Sequence, residues 1–186
     1  VPTNALHNKL TLPMLGLLLE QADHAYGLTS RLNDRYRHLS ASRSSITTLA
    51  KSLAAAELVK PRAPERLGNR PPRTIYDLTE AGIEHMRQRV DQTIRIAPAM
   101  DVDFVTALAY IGLLSRKRAA EVLEARTRQI RQEIDGLSDI PTGLAELKMI
   151  EVDYWLRMLT SEAAWLKQLR ERIESGHIDW IGGTPK

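Results

Sequence analysis

The chain has 186 residues, 43% of them hydrophobic and 26% charged, which is enough apolar content to fill a core and excludes wholesale disorder. Its apolar runs stay well short of the about 18 residues a membrane span needs, and residues 12–19 lack the basic flank and small-residue site of a signal peptide, so no membrane is expected. The net charge of +3 is uneven: residues 1–100 carry +5, residues 101–186 carry −2, and the stretch from Arg31 to Arg73 holds 10 basic against 3 acidic side chains, a footprint expected where phosphates are met.

Leu6, Leu10, Met14, Leu17 and Leu18 recur at helical spacing and predict a first helix over residues 6–21. Gln21-Ala22-Asp23-His24 reads as a polar break before a second helix near 25–38, where Leu28 and Leu32 share a face and Arg31, Arg35 and Arg37 supply charge. Ser40-Ala41-Ser42 offers capping hydroxyls to a third helix over 43–56. Ile46, Leu49, Ala50 and Leu53 point inward there, which leaves Arg43, Ser44, Ser45, Thr47, Thr48 and Lys51 on the outer side. Leu58–Arg62 is a short β-prone piece, and 63–73 is rich in Pro, Gly and Asn and reads as a loop. Thr74–Leu78 alternates like a second strand, and 79–97 returns to helix with Thr79 as its N-cap. Helix, helix, helix, strand, loop, strand, helix is the order of a winged helix-turn-helix.

Pro98 is expected to end or kink the fourth helix, because proline disfavours helical geometry in the residue before it. Beyond it the pattern is helical throughout. Residues 101–114 hold Phe104, Leu108, Ile111 and Leu114, and Ser115 caps a helix over 116–137 with a stripe of Val122, Leu123, Ile130, Ile134 and Leu137. Gly136 and residues 138–143 make a turn. The last helix, 144–175, carries Leu147, Ile150, Tyr154, Met158, Trp165, Leu169 and Ile173. Two long amphipathic helices joined by a short turn form an antiparallel pair, and such a pair has more apolar surface than a small winged helix can cover. The expected fold is mainly α with a small β-wing, divided into a winged helix-turn-helix DNA-binding domain at 1–97 and a helical dimerisation domain at 98–186.

Leu15-Gly16-Leu17-Leu18 followed by Tyr26-Gly27-Leu28 resembles the first two helices of PadR-type regulators. The segment from Arg70 through Thr79-Glu80-Ala81-Gly82 resembles that family's wing, second strand and helix start. The resemblance runs from about Leu6 to Glu174 and implies a homodimeric transcriptional repressor of double-stranded DNA, possible release by a small-molecule effector, and a cytoplasmic setting, which the lack of cysteine also suits. Four positions depart from the family pattern. Ala25 stands where the family often has His, Thr47 where it has Tyr, Ala50 where it has Leu, and Glu57 where it has Gly. The last asks a non-glycine residue to make the turn that ends the third helix.

The candidate DNA contacts follow from these elements. Ser42, Arg43, Ser44, Ser45, Thr47, Thr48 and Lys51 lie along the third helix, where arginine can pair with guanine and threonine with thymine or phosphate. Arg62, Arg66, Asn69, Arg70 and Arg73 lie in the loop, where guanidinium groups follow the backbone or enter the minor groove. Tyr154 and Trp155 are the candidates for an effector site, although packing between helices also explains aromatic residues there. His7, His24, His38, His85 and His177 are scattered without metal-ligand spacing. With no nucleophile or nucleotide motif either, no catalytic site, metal or cofactor is expected. Two rival readings are a winged helix used for protein contact and a helical small-molecule binder without operator binding.

Overall fold

The computed structural model describes residues 6, 8–65, 72–138 and 146–180. Contacts divide the chain into two compact units, Val1–Arg89 and Val90–Thr184.

The first unit contains α1 (Thr11–Glu20), β1 (Asp23–His24), α2 (Ala25–Arg35), α3 (Arg43–Ala55), β2 (Val59–Pro61) and β3 (Ile75–Leu78), and it ends within α4 (Glu80–Ile96). Pro13 sits in the first turn of α1, where its missing N–H leaves no helical bond unmade. Met14, Leu15, Leu17, Leu28, Leu32, Ile46, Leu53 and Met86 are almost wholly buried and form the core of this unit. The sheet order is β1-β3-β2, antiparallel throughout, with Asp23 opposite Tyr76 and Val59 opposite Leu78. The expected polar break at Gln21–His24 contains an edge strand, Asp23–His24. Two residues carry no readable alternation; β3 supplies the partner that makes them a strand.

Three local devices fix α3 and its exit. Asn33 of α2 exchanges two hydrogen bonds with the backbone of Ala41, donating from Nδ2 to its carbonyl at 3.0 Å and accepting from its N–H at Oδ1 at 3.1 Å, which pins the turn before α3. Ser42 and Ser45 form a reciprocal capping box, with each hydroxyl accepting from the other's backbone N–H at 3.1 Å. At the far end, Glu57 N–H donates to Ala54 O and Leu58 N–H to Leu53 O, both at 3.0 Å, the bond pair of a Schellman turn. Glu57 takes the left-handed conformation there, with φ 60°.

Thr79 precedes α4 as expected and accepts from Gly82 N–H at 3.0 Å. Its hydroxyl also lies 2.7 Å from the Glu57 carbonyl and 2.9 Å from that of Leu58, which joins the end of α3 to the start of α4. Gly82 is required by this closeness, because a Cβ there would overlap the Leu58 carbonyl oxygen and the Leu78 side chain.

The second unit holds the end of α4, α5 (Val102–Leu108), a 3-10 turn (Ile111–Leu113), α6 (Arg116–Ser138), a second 3-10 turn (Glu146–Lys148) and α7 (Ile150–Glu174). Ser115 caps α6 by accepting from Arg118 N–H at 3.1 Å. Three expectations are corrected here. The predicted helix over 101–114 breaks after Leu108 into a 3-10 turn. Gly136 lies inside α6 rather than in the turn, and residues 139–145 lie outside the described set. The apolar stripe of the last helix is also two faces. Leu159, Leu166 and Ile173, seven residues apart, are buried, whereas Leu147, Ile150, Tyr154 and Trp165 are exposed.

α6 and α7 pack antiparallel, tied by ion pairs of Arg126 with Glu162 and of Arg170 with Glu124. Arg126 is 1% exposed. Its guanidinium stacks over Phe104 and donates to Glu162 at 2.7 Å, to Ala97 O at 2.7 Å and to Pro98 O at 3.1 Å. A buried cation that binds a carboxylate and the carbonyls at the end of α4 has the partners such a charge needs. Trp180 docks the tail by donating to Leu114 O at 3.0 Å.

Candidate nucleic-acid interface

Apolar residues on one face of α3 anchor it, so the side chains between them face outward. Arg43, Ser44, Ser45, Thr48 and Lys51 are exposed and Thr47 is half-buried. The capping box engages Ser42 and Ser45, and Thr47 donates back to Arg43 O at 2.8 Å. Ser44 and Thr48 are therefore the hydroxyls of this face left freer for an outside partner, although Ser44 also lies 2.9 Å from Ser42 Oγ. Arg43 and Lys51 carry no ion pair among the described residues.

Three other cations of the basic stretch, Arg31, Arg35 and Arg62, are paired with carboxylates. Glu20 binds both Arg31, at 2.8 Å, and Arg35. Arg62, on the candidate list, is held bidentately by Asp77 at 2.7 and 2.5 Å. That bonding raises the Arg62 pKa and holds the Asp77 carboxyl below its ordinary value. Arg66, Asn69 and Arg70 lie outside the described residues. Arg73 sits where a bridge to Glu65 closes the base of the β2–β3 hairpin, with N–H to carbonyl bonds of 3.0 Å in both directions.

A cleft of about 430 Å³ is lined by Arg43, Thr47 and Lys51 on α3, Arg73 and Tyr76 at the hairpin, and His24 and Tyr26 at the start of α2. Burial raises the Tyr76 phenol pKa. The structure thus brings together Arg43, Thr47, Lys51 and Arg73 from the candidate list, and adds His24 and Tyr26, which sequence reasoning missed. Tyr26 is 65% exposed, which its sequence neighbourhood does not announce.

Tyr154 and Trp155 belong to α7 of the second unit and are 57% and 39% exposed. Among the described residues no group of histidines and carboxylates is arranged to hold a metal, and no helix is long and apolar enough to cross a membrane.

Three helices, a three-stranded sheet with a hairpin beside the third helix, and an open cationic cleft between them define a winged helix-turn-helix protein. Residues 14–88 match the model of the transcriptional regulator PadR-like family. That match lies within the first unit, and the family it describes is one of transcriptional regulators. No curated protein matches the sequence. Among solved structures, Bacillus subtilis PadR in complex with operator DNA is 20% identical with a TM-score of 0.43, covering 89% of this chain and 99% of that one. The same protein with p-coumaric acid is 19% identical with a TM-score of 0.38, covering 90% and 99%. The PadR-like regulator BC1756 from Bacillus cereus is 17% identical with a TM-score of 0.37, covering 89% and 98%.

Proposed function

We propose that this regulator is a homodimeric repressor that reads a near-palindromic operator in the cytoplasm, with residues 1–97 binding DNA and 98–186 dimerising. One observation carries the reading. Arg43 and Lys51, on the outer face of α3, lack a carboxylate among the described residues, while Arg31, Arg35 and Arg62 beside them are paired. A phosphate backbone supplies the missing charge. Arg43, Ser44 and Thr48 reach base edges or phosphates in the major groove, Lys51 meets the backbone, and Arg73, with Arg66, Asn69 and Arg70 of the loop, follows the wing. Two copies place their α3 helices in half-sites about 10 bp apart, or a multiple of that.

The exposed strip of Leu147, Ile150, Tyr154 and Trp165 supports the dimer, since an apolar stripe of this length on a charged helix is the kind of surface a second copy covers. A small-molecule effector would use Tyr154 and Trp155 on the same helix, and it releases DNA only by preferring the dimer geometry that does not bind it.

The test is electrophoretic mobility shift on the DNA upstream of the protein's own gene, across a salt series, with Arg43→Ala alongside. Retention of that fragment over random DNA, weakened by Arg43→Ala, is expected. Equal retention of both, or indifference to Arg43→Ala, overturns the reading. Light scattering of Tyr154→Glu/Trp165→Glu tests the dimer: a monomer is expected, and an unchanged dimer refutes the assignment of that strip.

A further inference from the structure

The geometry points to His24 as a positioning residue of the DNA-facing cleft: it holds the Arg73 guanidinium in place without cancelling its charge. This rests on the DNA-binding reading above.

Two of the imidazole's three polar contacts are made with its proton on Nδ1. Nε2 lies 3.2 Å from Arg73 Nη1, and a guanidinium only donates. Nδ1 lies 2.9 Å from Asp23 Oδ1, and a carboxylate only accepts. Both bonds are made when the proton is on Nδ1: Nδ1–H donates to Asp23, and Nε2 accepts from Arg73. The other tautomer sets an N–H against the guanidinium and a lone pair against the carboxylate. Gly27 N–H also points at Nδ1, at 3.1 Å, as the cap of α2, a contact that favours the other tautomer and stands alone against the two.

The orienting group is itself fixed. Asp23 pairs with Arg31 at 3.4 Å, and Arg31 also donates to Glu20 at 2.8 Å and to Leu17 O at 3.1 Å. A Cβ at Gly27 would overlap the Asp23 carboxylate, so glycine is what lets α2 begin against it. Strand pairing sets His24 opposite Ile75, two residues beyond Arg73. A continuous chain of bonds therefore runs from α1 and α2 through the imidazole to the base of the wing.

The partner type matters. Arg62 is held by Asp77, which fixes the side chain and neutralises it. Arg73 has no carboxylate partner among the described residues, and its Nε is buried without a hydrogen bond. An imidazole acceptor restricts the guanidinium as a carboxylate would, yet leaves a full positive charge facing the cleft shared with Arg43 and Lys51. Ordering a side chain before binding lowers what binding must then order.

The experiment measures binding of the full chain to a duplex of its own upstream DNA over a salt series. Deleting a neutral side chain normally leaves the salt dependence alone. His24→Ala is expected to weaken binding about 5- to 10-fold and to lower the slope of log K against log salt by about 0.9, the value of one lost phosphate contact. Arg73→Ala should do the same, and the double variant should be no worse than Arg73→Ala alone. His24→Gln, whose amide oxygen accepts from Arg73, should restore the slope. If His24→Ala lowers the melting temperature, His24→Gln against His24→Leu carries the comparison, since the two differ in the acceptor. A wild-type slope in His24→Ala or His24→Leu, or losses that add in the double variant, overturns the inference. Arg43→Ala separates the two levels: a weakening there with wild-type behaviour at His24 sinks this inference and leaves DNA binding standing, whereas indifference in all of them sinks DNA binding.

Discussion

Replacing Glu57 by glycine should stabilise the protein. Glu57 follows the last turn of α3 with φ 60°, a conformation that costs an L-residue about 1–2 kcal/mol through crowding of its Cβ. Glycine has no Cβ, but it loses more backbone freedom on folding, a cost of about 0.5–1 kcal/mol. The difference favours Glu57→Gly by about 0.5–1 kcal/mol. Little opposes it, because the Glu57 side chain is exposed and makes no hydrogen bond or ion pair among the described residues. The backbone bonds of the turn, to Ala54 O and from Leu58 to Leu53 O, are kept by any residue that tolerates this φ. In a unit of this size the gain corresponds to about 2–8 °C in melting temperature. Thermal and urea denaturation followed by circular dichroism measure it. Glu57→Ala is the control: it removes the carboxylate and keeps the Cβ, so it should stay near the parent. If Glu57→Gly is no more stable than Glu57→Ala, the positive φ stores no such cost and the reasoning fails.

Gly82→Ala should destabilise the first unit by about 2 kcal/mol or more despite alanine's helix preference, because the new methyl meets the Leu58 carbonyl oxygen; a neutral result in urea denaturation would refute the close packing of α4 on the α3 exit. Arg126→Met should cost about 3–5 kcal/mol by stranding the largely buried Glu162 carboxylate, and the further change Glu162→Met should recover part of the loss in the same assay. Bonding to Arg118 holds the Asp91 carboxyl below its ordinary value. The unfolded chain therefore binds that proton first, so the pair's contribution is complete above about pH 4 and is lost as pH falls through the folded value. Asp91→Asn should be less stable at neutral pH, by about 1 kcal/mol, and should show a shallower acid limb, read as the urea midpoint against pH.

What the sequence made legible was local. Ser42, Thr79 and Ser115 each cap the helix they were expected to cap, since a cap depends on residues two or three positions away. The inward face of α3 was readable for the same reason: Ile46, Leu49, Ala50 and Leu53 repeat at helical spacing and all are buried. Distant partners were not. His24 and Arg73 are 49 residues apart, and nothing in either neighbourhood announces the other. Asn33 looks like an ordinary polar residue on α2 until Ala41 turns back onto it. Arg126 was invisible because an arginine between apolar residues is read as a snorkelling surface side chain, and its burial depends on Glu162 and on the end of α4 arriving together. On α7 the pattern shows that the helix is amphipathic without showing which of its apolar residues are buried: Leu159 and Leu166 are, whereas Tyr154 and Trp165 are exposed.

The same limit governs the charge argument. Between Arg31 and Arg73 the sequence counts a net of +7, yet the carboxylates that answer Arg31, Arg35 and Arg62 are Glu20, Asp23 and Asp77, all outside that window. Folding brings them in, so the basic stretch is less cationic than its count. Among the cations of this stretch that keep their charge, three meet at the cleft: Arg43 and Lys51 without carboxylate partners among the described residues, and Arg73 on a neutral acceptor. Three such cations on each protomer would release counterions worth a slope of about −2.7 per half-site, from about −0.9 for each phosphate met. The sign of local charge pointed to nucleic acid from the sequence alone. Which cations carry it is decided by which of their neighbours are acids, and that is a property of the fold.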